Sequence, residues 1–296
     1  MFKPTGGTEL KPKSKSNAQC KKSEMKEKNI VFTSLEFDCI GLEQFAGPGE
    51  APINIFCMLE PSKRLCFVYI LRNENNPLIK KFEDNTEEFI NELNKLEYFK
   101  EYVYLIDFVN TEKELIEKYW WLQRTVSPDV SLSWGGLDVE YPALIKRMEK
   151  LNIDKSIACD PKYGRTILEI VEDTTHNHID HYDRKIFLSC MSNTQYRDQL
   201  RDYINSHRHV QPPKTFMLHD VVEHETDFKY RKSNIKVDDI RTFPYKYFKE
   251  FVFGVIEATV AQCEFEKSIQ KKKLFSLLHF YNHDKIRGNK YEIFRL

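Results

Sequence analysis

FTSLEFDCIG, residues 32–41, is a short apolar run that carries two carboxylates one residue apart. Side chains on a strand alternate between faces, so Phe32, Ser34, Glu36 and Asp38 share one face and Val31, Thr33, Leu35, Phe37 and Cys39 the other. Glu36 and Asp38 therefore point the same way. Neighbouring acids on a mostly buried strand repel each other and lose hydration, and they persist most easily where a divalent metal or a basic partner neutralises them. An edge strand with both acids in water is the plainer alternative, and the pair alone leaves both readings open.

Outward from this strand, Glu43 to Ala51 reads as a Gly/Pro-rich loop, and INIFCMLE (53–60) and RLCFVYIL (64–71) read as a hairpin. Residues 84–100 place Phe89, Ile90, Leu93, Leu96 and Phe99 at helical spacing, and YVYLID (102–107) reads as a strand. A helix over 111–126 opens on a capping box of Thr111 and Glu114; DVSLSW (129–134) is a strand and 140–151 a helix. Three antiparallel strands followed by alternating helices and strands make a mixed α/β sheet with helices on both faces. The same element order is that of the ribonuclease H-like fold. Nucleases of that fold hold two metal ions with carboxylates on the first strand, on a later helix or loop and on the last helix, because in-line phosphoryl transfer needs both attacking and leaving oxygens neutralised.

The chain has 296 residues, 41% of them hydrophobic, which is ample for a packed core. With 45 basic and 45 acidic residues, bulk charge does not make it a polyanion binder. Residues 1–28 hold eight lysines against three acids and read as a disordered basic tail. A domain over 29–265 and an amphipathic basic segment over 266–296 follow, the latter with Leu274, Phe275, Leu277 and Leu278 on a side that must lie on the domain itself or on a partner. No apolar run reaches the roughly 20 residues that cross a bilayer. The seven cysteines are scattered without a C-x-x-C pair, as expected of a reducing compartment. The expectation is a soluble intracellular protein, cytoplasmic or nucleoid-associated.

SWGGLDVEYPALIKRM (133–148) resembles the second exonuclease motif of family B DNA polymerases, a Trp-Asn pair followed by Phe-Asp-x-Pro-Tyr and an Arg on the same helix. Trp134, Pro142, Leu144, Ile145 and Arg147 fall in register. The family's first motif, Asp-x-Glu on the opening strand, corresponds to Glu36-x-Asp38. TFMLHDVVEHE (215–225) resembles the segment that leads a helix with a Ser-Tyr-x-Leu run, and KYFKEFVFGVIEATVAQCE (246–264) the helix that bears Tyr-x-x-x-Asp. The spacing is most similar to the 3′–5′ exonuclease domain of T4-like phage polymerases, and the likeness spans about residues 30–265. It implies a ribonuclease H-like, DEDD-exonuclease fold. It also implies a metal site of Glu36, Asp38 and Glu140 filled by Mg²⁺ or Mn²⁺ if active, with Trp134 and Arg147 against DNA.

The departures from the family's pattern are chemical. The acids of the first strand are exchanged, Gly135 replaces Asn, and Glu140 replaces Asp. Phe251 and Val255 stand where Tyr and Asp are expected. Phenylalanine has no hydroxyl to orient a water, and valine cannot bind a cation. Asp138 is placed to substitute for Glu140 across the loop, whereas Glu257, two residues past Val255, faces about 200° away on a helix. The chain has no Asp-x-x-Ser-Leu-Tyr-Pro and no Tyr-Gly-Asp-Thr-Asp run, so the resemblance stops short of nucleotide addition. The reading is a free-standing, catalytically degenerate exonuclease-type subunit, of viral or phage origin. It works beside a DNA polymerase or other replication proteins on single-stranded or primer-template DNA. A working proofreading nuclease and a pure protein scaffold are the alternatives.

Other candidates carry less. His176, His178 and His181, with Asp180 and Asp183, suit zinc or nickel in type but match no spacing frame, and read with His207 and His209 as exposed polar loops. Trp120, Trp121 and Trp134, with Tyr119, offer rings for base stacking, but aromatics at helical spacing are more often core, and at least Trp120 fits the buried face of its helix. There is no G-x-x-x-x-G-K loop, no Gly-x-Ser-x-Gly elbow and no Cys–His dyad.

Overall fold

A computed structural model describes residues 28–42, 47–173, 185–206, 213–231, 235 and 239–271. The basic tail before residue 28, the histidines at 176, 178, 181, 207 and 209, and the segment from residue 272 lie outside the described residues. In chain order the elements are β1 (Ile30–Phe37), β2 (Ile53–Glu60), β3 (Leu65–Leu71), α1 (Pro77–Asp84), α2 (Thr86–Leu93), β4 (Val103–Val109), α3 (Glu112–Val126), β5 (Val130–Ser133), α4 (Glu140–Lys150), β6 (Leu168–Asp173), β7 (Lys185–Cys190), β8 (Gln195–Asp198), α5 (Gln199–Ser206), α6 (Leu218–Glu225), α7 (Phe243–Lys246) and α8 (Phe248–Lys271).

Six strands form one mixed sheet in the order β4-β3-β2-β1-β5-β8. β1–β2 and β2–β3 pair antiparallel; β3–β4, β1–β5 and β5–β8 pair parallel. β6 and β7 form a separate antiparallel ribbon. The protein is thus α/β, a mixed sheet flanked by helices. Alternation on β1 sorts its side chains into two cores. Phe32 joins Val68, Phe82, Phe89, Val252 and Ile256 beneath α1, α2, α6 and α8, whereas Val31 and Leu35 join Phe56, Tyr119, Trp120 and Leu144 beneath α3 and α4.

Local chemistry sets the boundaries. Thr111 Oγ1 accepts from Glu114 N at 3.1 Å, and the Glu114 carboxylate reaches back to Asn110 N at 3.1 Å, the expected capping box shifted by one residue. Of the helix expected over 84–100 only Thr86–Leu93 is helical, with Leu96 and Phe99 in the turns beyond it, and a second helix, Pro77–Asp84, precedes it. Asn76 caps an earlier start, with Pro77 in the first turn and Asn76 Oδ1 accepting from Leu78 N. The break falls at Asn85, whose amide donates to Lys81 O. β6, β8 and α5 were not legible beforehand: β8 has four residues, and its Gln195 and Arg197 interrupt any apolar run. α8 continues to Lys271, so the segment expected to begin at residue 266 starts inside that helix.

Candidate functional site

Glu36 and Asp38 lie at the carboxyl end of β1, where open α/β sheets place their ligand crevices. Ser34 Oγ accepts from Thr259 Oγ1 and Gln262 Nε2 of α8, each at 3.0 Å. Just past the strand, Asp38 Oδ2 accepts from Tyr245 Oη at 2.6 Å, and Oδ1 from Ile40 N at 3.2 Å. Glu36 lies between Ser34 and Asp38 on that face, although a bulge interrupts the β1–β2 register at Glu36/Phe37. Val255 is buried, and Phe251 packs against the same core.

Glu36 is half-buried, and burial pushes its carboxyl up to about 7. The cause is the loss of water around the carboxyl on burial.

Glu140 lies on the other side of the sheet. β1 and β5 pair only from Ile30–Phe32 to Val130–Leu132 and then separate, leaving Leu35 N–H without a strand partner. Glu140 Oε1 accepts from it at 3.1 Å. The side chain is 9% exposed, Oε2 has no partner, and burial holds the carboxyl well above the usual range, with Glu36 and Asp198 adding to the rise. The turn before α4 is shaped around this group. Gly135 has φ +74°, and a Cβ on Gly136 would lie 1.9 Å from Ser133 Oγ and 3.2 Å from Glu140 Oε2. Glycine at 135, where the resembled family has asparagine, follows from that backbone.

Asp198 is an acid that sequence reasoning missed. At the end of β8 it accepts from the backbone N–H of Gly135, Leu137 and Leu200, each at 3.0 Å, and of Arg201 at 3.3 Å. Burial raises its carboxyl to about 6 against the lowering by those donors. It holds the 134–139 turn, and only its partners reveal that role. Asp138, the expected substitute for Glu140, is bound bidentately by Arg201. Glu257 accepts from Arg231 N at 2.7 Å, on the side away from Ser34, as helical geometry requires.

The two expected DNA contacts are turned inward. Arg147 is 6% exposed; its Nε donates to Glu112 Oε1 at 2.7 Å, its Nη2 to Glu112 Oε2, and its Nη1 to Gly49 O at 3.3 Å. Glu112 Oε1 also accepts from Ile53 N at 2.9 Å. This guanidinium ties α3, α4 and the start of β2 together, and a phosphate would have to displace Glu112. Trp134 packs its ring on Phe265 and Tyr203, with centroids 5.6 and 6.4 Å away.

Among the described residues no three His, Cys, Asp or Glu side chains stand together to hold a metal; Asp38 is engaged by Tyr245 and Glu140 is tied to Leu35 N–H. The arrangement can bind through hydrogen bonds. Asp38 and Tyr245 line a cavity of about 350 Å³ with Asn54, Arg72, Asn73 and Asn76, and Asn73 Nδ2 donates to Tyr245 Oη at 3.0 Å. Compared with protein-family models and with curated proteins, the chain matches none of them.

Proposed function

We propose that this chain is a ribonuclease H-like, exonuclease-type subunit of a viral or phage replication complex that binds polymerase or primer-template DNA without cutting it. The observation that carries the proposal is the engagement of the candidate acids by the protein itself: Asp38 accepts from Tyr245 and Glu140 from Leu35 N–H, while Val255, at the position where the resembled domains present an aspartate, is buried. Burial pushes the Glu36 carboxyl up to about 7, and the other acids serve the backbone and Tyr245. The leading β1–β2–β3 antiparallel set followed by parallel strands and helices supports the fold assignment.

One observation favours a second reading, an active Mg²⁺- or Mn²⁺-dependent 3′–5′ exonuclease. Tyr245 brings a phenolic hydroxyl to Asp38, although the expected tyrosine position is Phe251. Incubation of the protein with a 3′-labelled single-stranded oligonucleotide and either metal separates the two. Intact substrate is expected, and degradation that disappears in Asp38→Ala rejects the non-catalytic reading.

A further inference from the structure

β4 is the outer strand of the main sheet, at the end of the order away from β8. Its bonds to β3 fix which of its backbone groups remain. Val103 N donates to Arg64 O at 2.8 Å and Val109 O accepts from Arg72 N at 2.9 Å, so in this parallel ladder Val103, Leu105, Asp107 and Val109 turn both their groups toward β3. Tyr104, Ile106 and Phe108 turn theirs to the outer edge. Phe108 is already capped there: its N–H donates to Asp107 Oδ1 at 2.9 Å, and its carbonyl accepts from Arg72 Nη1 at 3.1 Å. The N–H and C=O groups of Tyr104 and Ile106 are left, without a hydrogen-bond partner among the described residues. Beside them, on the face away from the core that takes Tyr104 and Ile106, Val103 is 58% and Leu105 46% exposed.

An unpaired edge of this kind is a template for another strand. The capped Phe108 restricts the register. In an antiparallel pair with a second copy centred on Leu105, Tyr104 of each copy lies opposite Ile106 of the other, and each such pair exchanges both N–H···O bonds, which closes every free group on both edges. Centring on Tyr104 instead calls on Tyr102, whose N–H already bonds Phe99 O, and centring on Ile106 calls on the capped Phe108. About Leu105 the two leucines meet on the axis and Asp107 lies opposite Val103, so no like charges face each other. The strand's ends are complementary as well. Exposed Arg64 and Lys100 outweigh Glu101 beside its start, whereas Asp107 and Glu114 lie at its far end, where Arg72 is neutralised by Glu83. We propose that β4 is a self-association edge through which two copies of this chain join antiparallel about Leu105 into one continuous sheet. The inference stands on backbone geometry and does not depend on the exonuclease-like reading.

Sedimentation equilibrium of the intact protein at concentrations up to about 1 mM, the weak end of specific association, tests it. A monomer–dimer equilibrium is expected. Leu105→Lys and Leu105→Glu each set like charges face to face on the axis, and each is expected to remain monomeric. An equimolar mixture of the two variants is expected to regain the dimer, because lysine then faces glutamate. Leu105 is exposed, so both variants are expected to fold, as circular dichroism would verify. A dimer that persists in Leu105→Lys, or a mixture that stays monomeric, overturns the assignment. So does a monomeric parent; slow amide exchange at Tyr104 and Ile106 in that monomer would mean that the chain's own remaining residues cover the edge.

Discussion

Glu36 condenses the chemistry of the candidate site into one carboxyl. Its folded value of about 7 stands above the ordinary 4.5, so between those limits the folded chain holds a proton that the unfolded chain has released. The associated stability is fully present below pH 4.5 and is lost as pH rises through about 7. Asp198, raised to about 6, acts in the same direction over the lower part of that window. The neutral isostere Glu36→Gln is expected to gain stability relative to the parent as pH rises from 4.5 to 7, with no further relative change above. Urea midpoints across that range check it; parallel curves would show that Glu36 is solvated. The adjacency of Glu36 and Asp38 was visible in FTSLEFDCIG because strand alternation is local. The Tyr245–Asp38 bond, spanning 207 residues, left no local signal.

Among the elements, α3 and α4 show how a motif residue acquires a structural task. Arg147 and Glu112, both nearly buried, join the two helices in a bidentate pair. Removing one partner of a buried pair leaves a desolvated charge, so Arg147→Ala is expected to cost about 3–5 kcal/mol of stability. Replacing both by apolar residues of similar volume, Arg147→Met with Glu112→Leu, is expected to recover part of the loss, since no charge is then left buried and only the Ile53 N–H and the Gly49 carbonyl lose a partner. Chemical denaturation of the two variants measures it; a near-neutral Arg147→Ala would mean that the guanidinium is solvated. Periodicity placed α3 and α4 correctly because each buries one stripe of its surface. It misplaced the helix over 84–100, where Asn76 and Asn85 set start and break through side-chain hydrogen bonds rather than hydrophobic spacing.

For the whole molecule, 45 positive and 45 negative residues leave no net field to attract nucleic acid. Arg72, Arg147 and Arg241 are paired with Glu83, Glu112 and Asp239. Any non-specific affinity for single strands is therefore expected to draw on the eight lysines of residues 1–28. Each phosphate contact contributes about −0.7 to the slope of log K against log salt on a single strand. A chain lacking residues 1–27 is expected to bind with a distinctly shallower slope, which filter binding at several salt concentrations reads directly. An unchanged slope would place the contacts on the folded domain. Among the described residues no helix is long and apolar enough to cross a membrane.

Hydrophobic periodicity, capping and turn residues were enough to read an α/β protein with three leading antiparallel strands and helices on both faces, because those signals act over a few positions along the chain. The fates of Glu140, Arg147, Asp138 and Asp198 emerged only on packing. An acid or a guanidinium carries the same formal character in any sequence; its burial and its partners, brought from 35 to 105 residues away, set whether it meets a ligand or the protein's own groups.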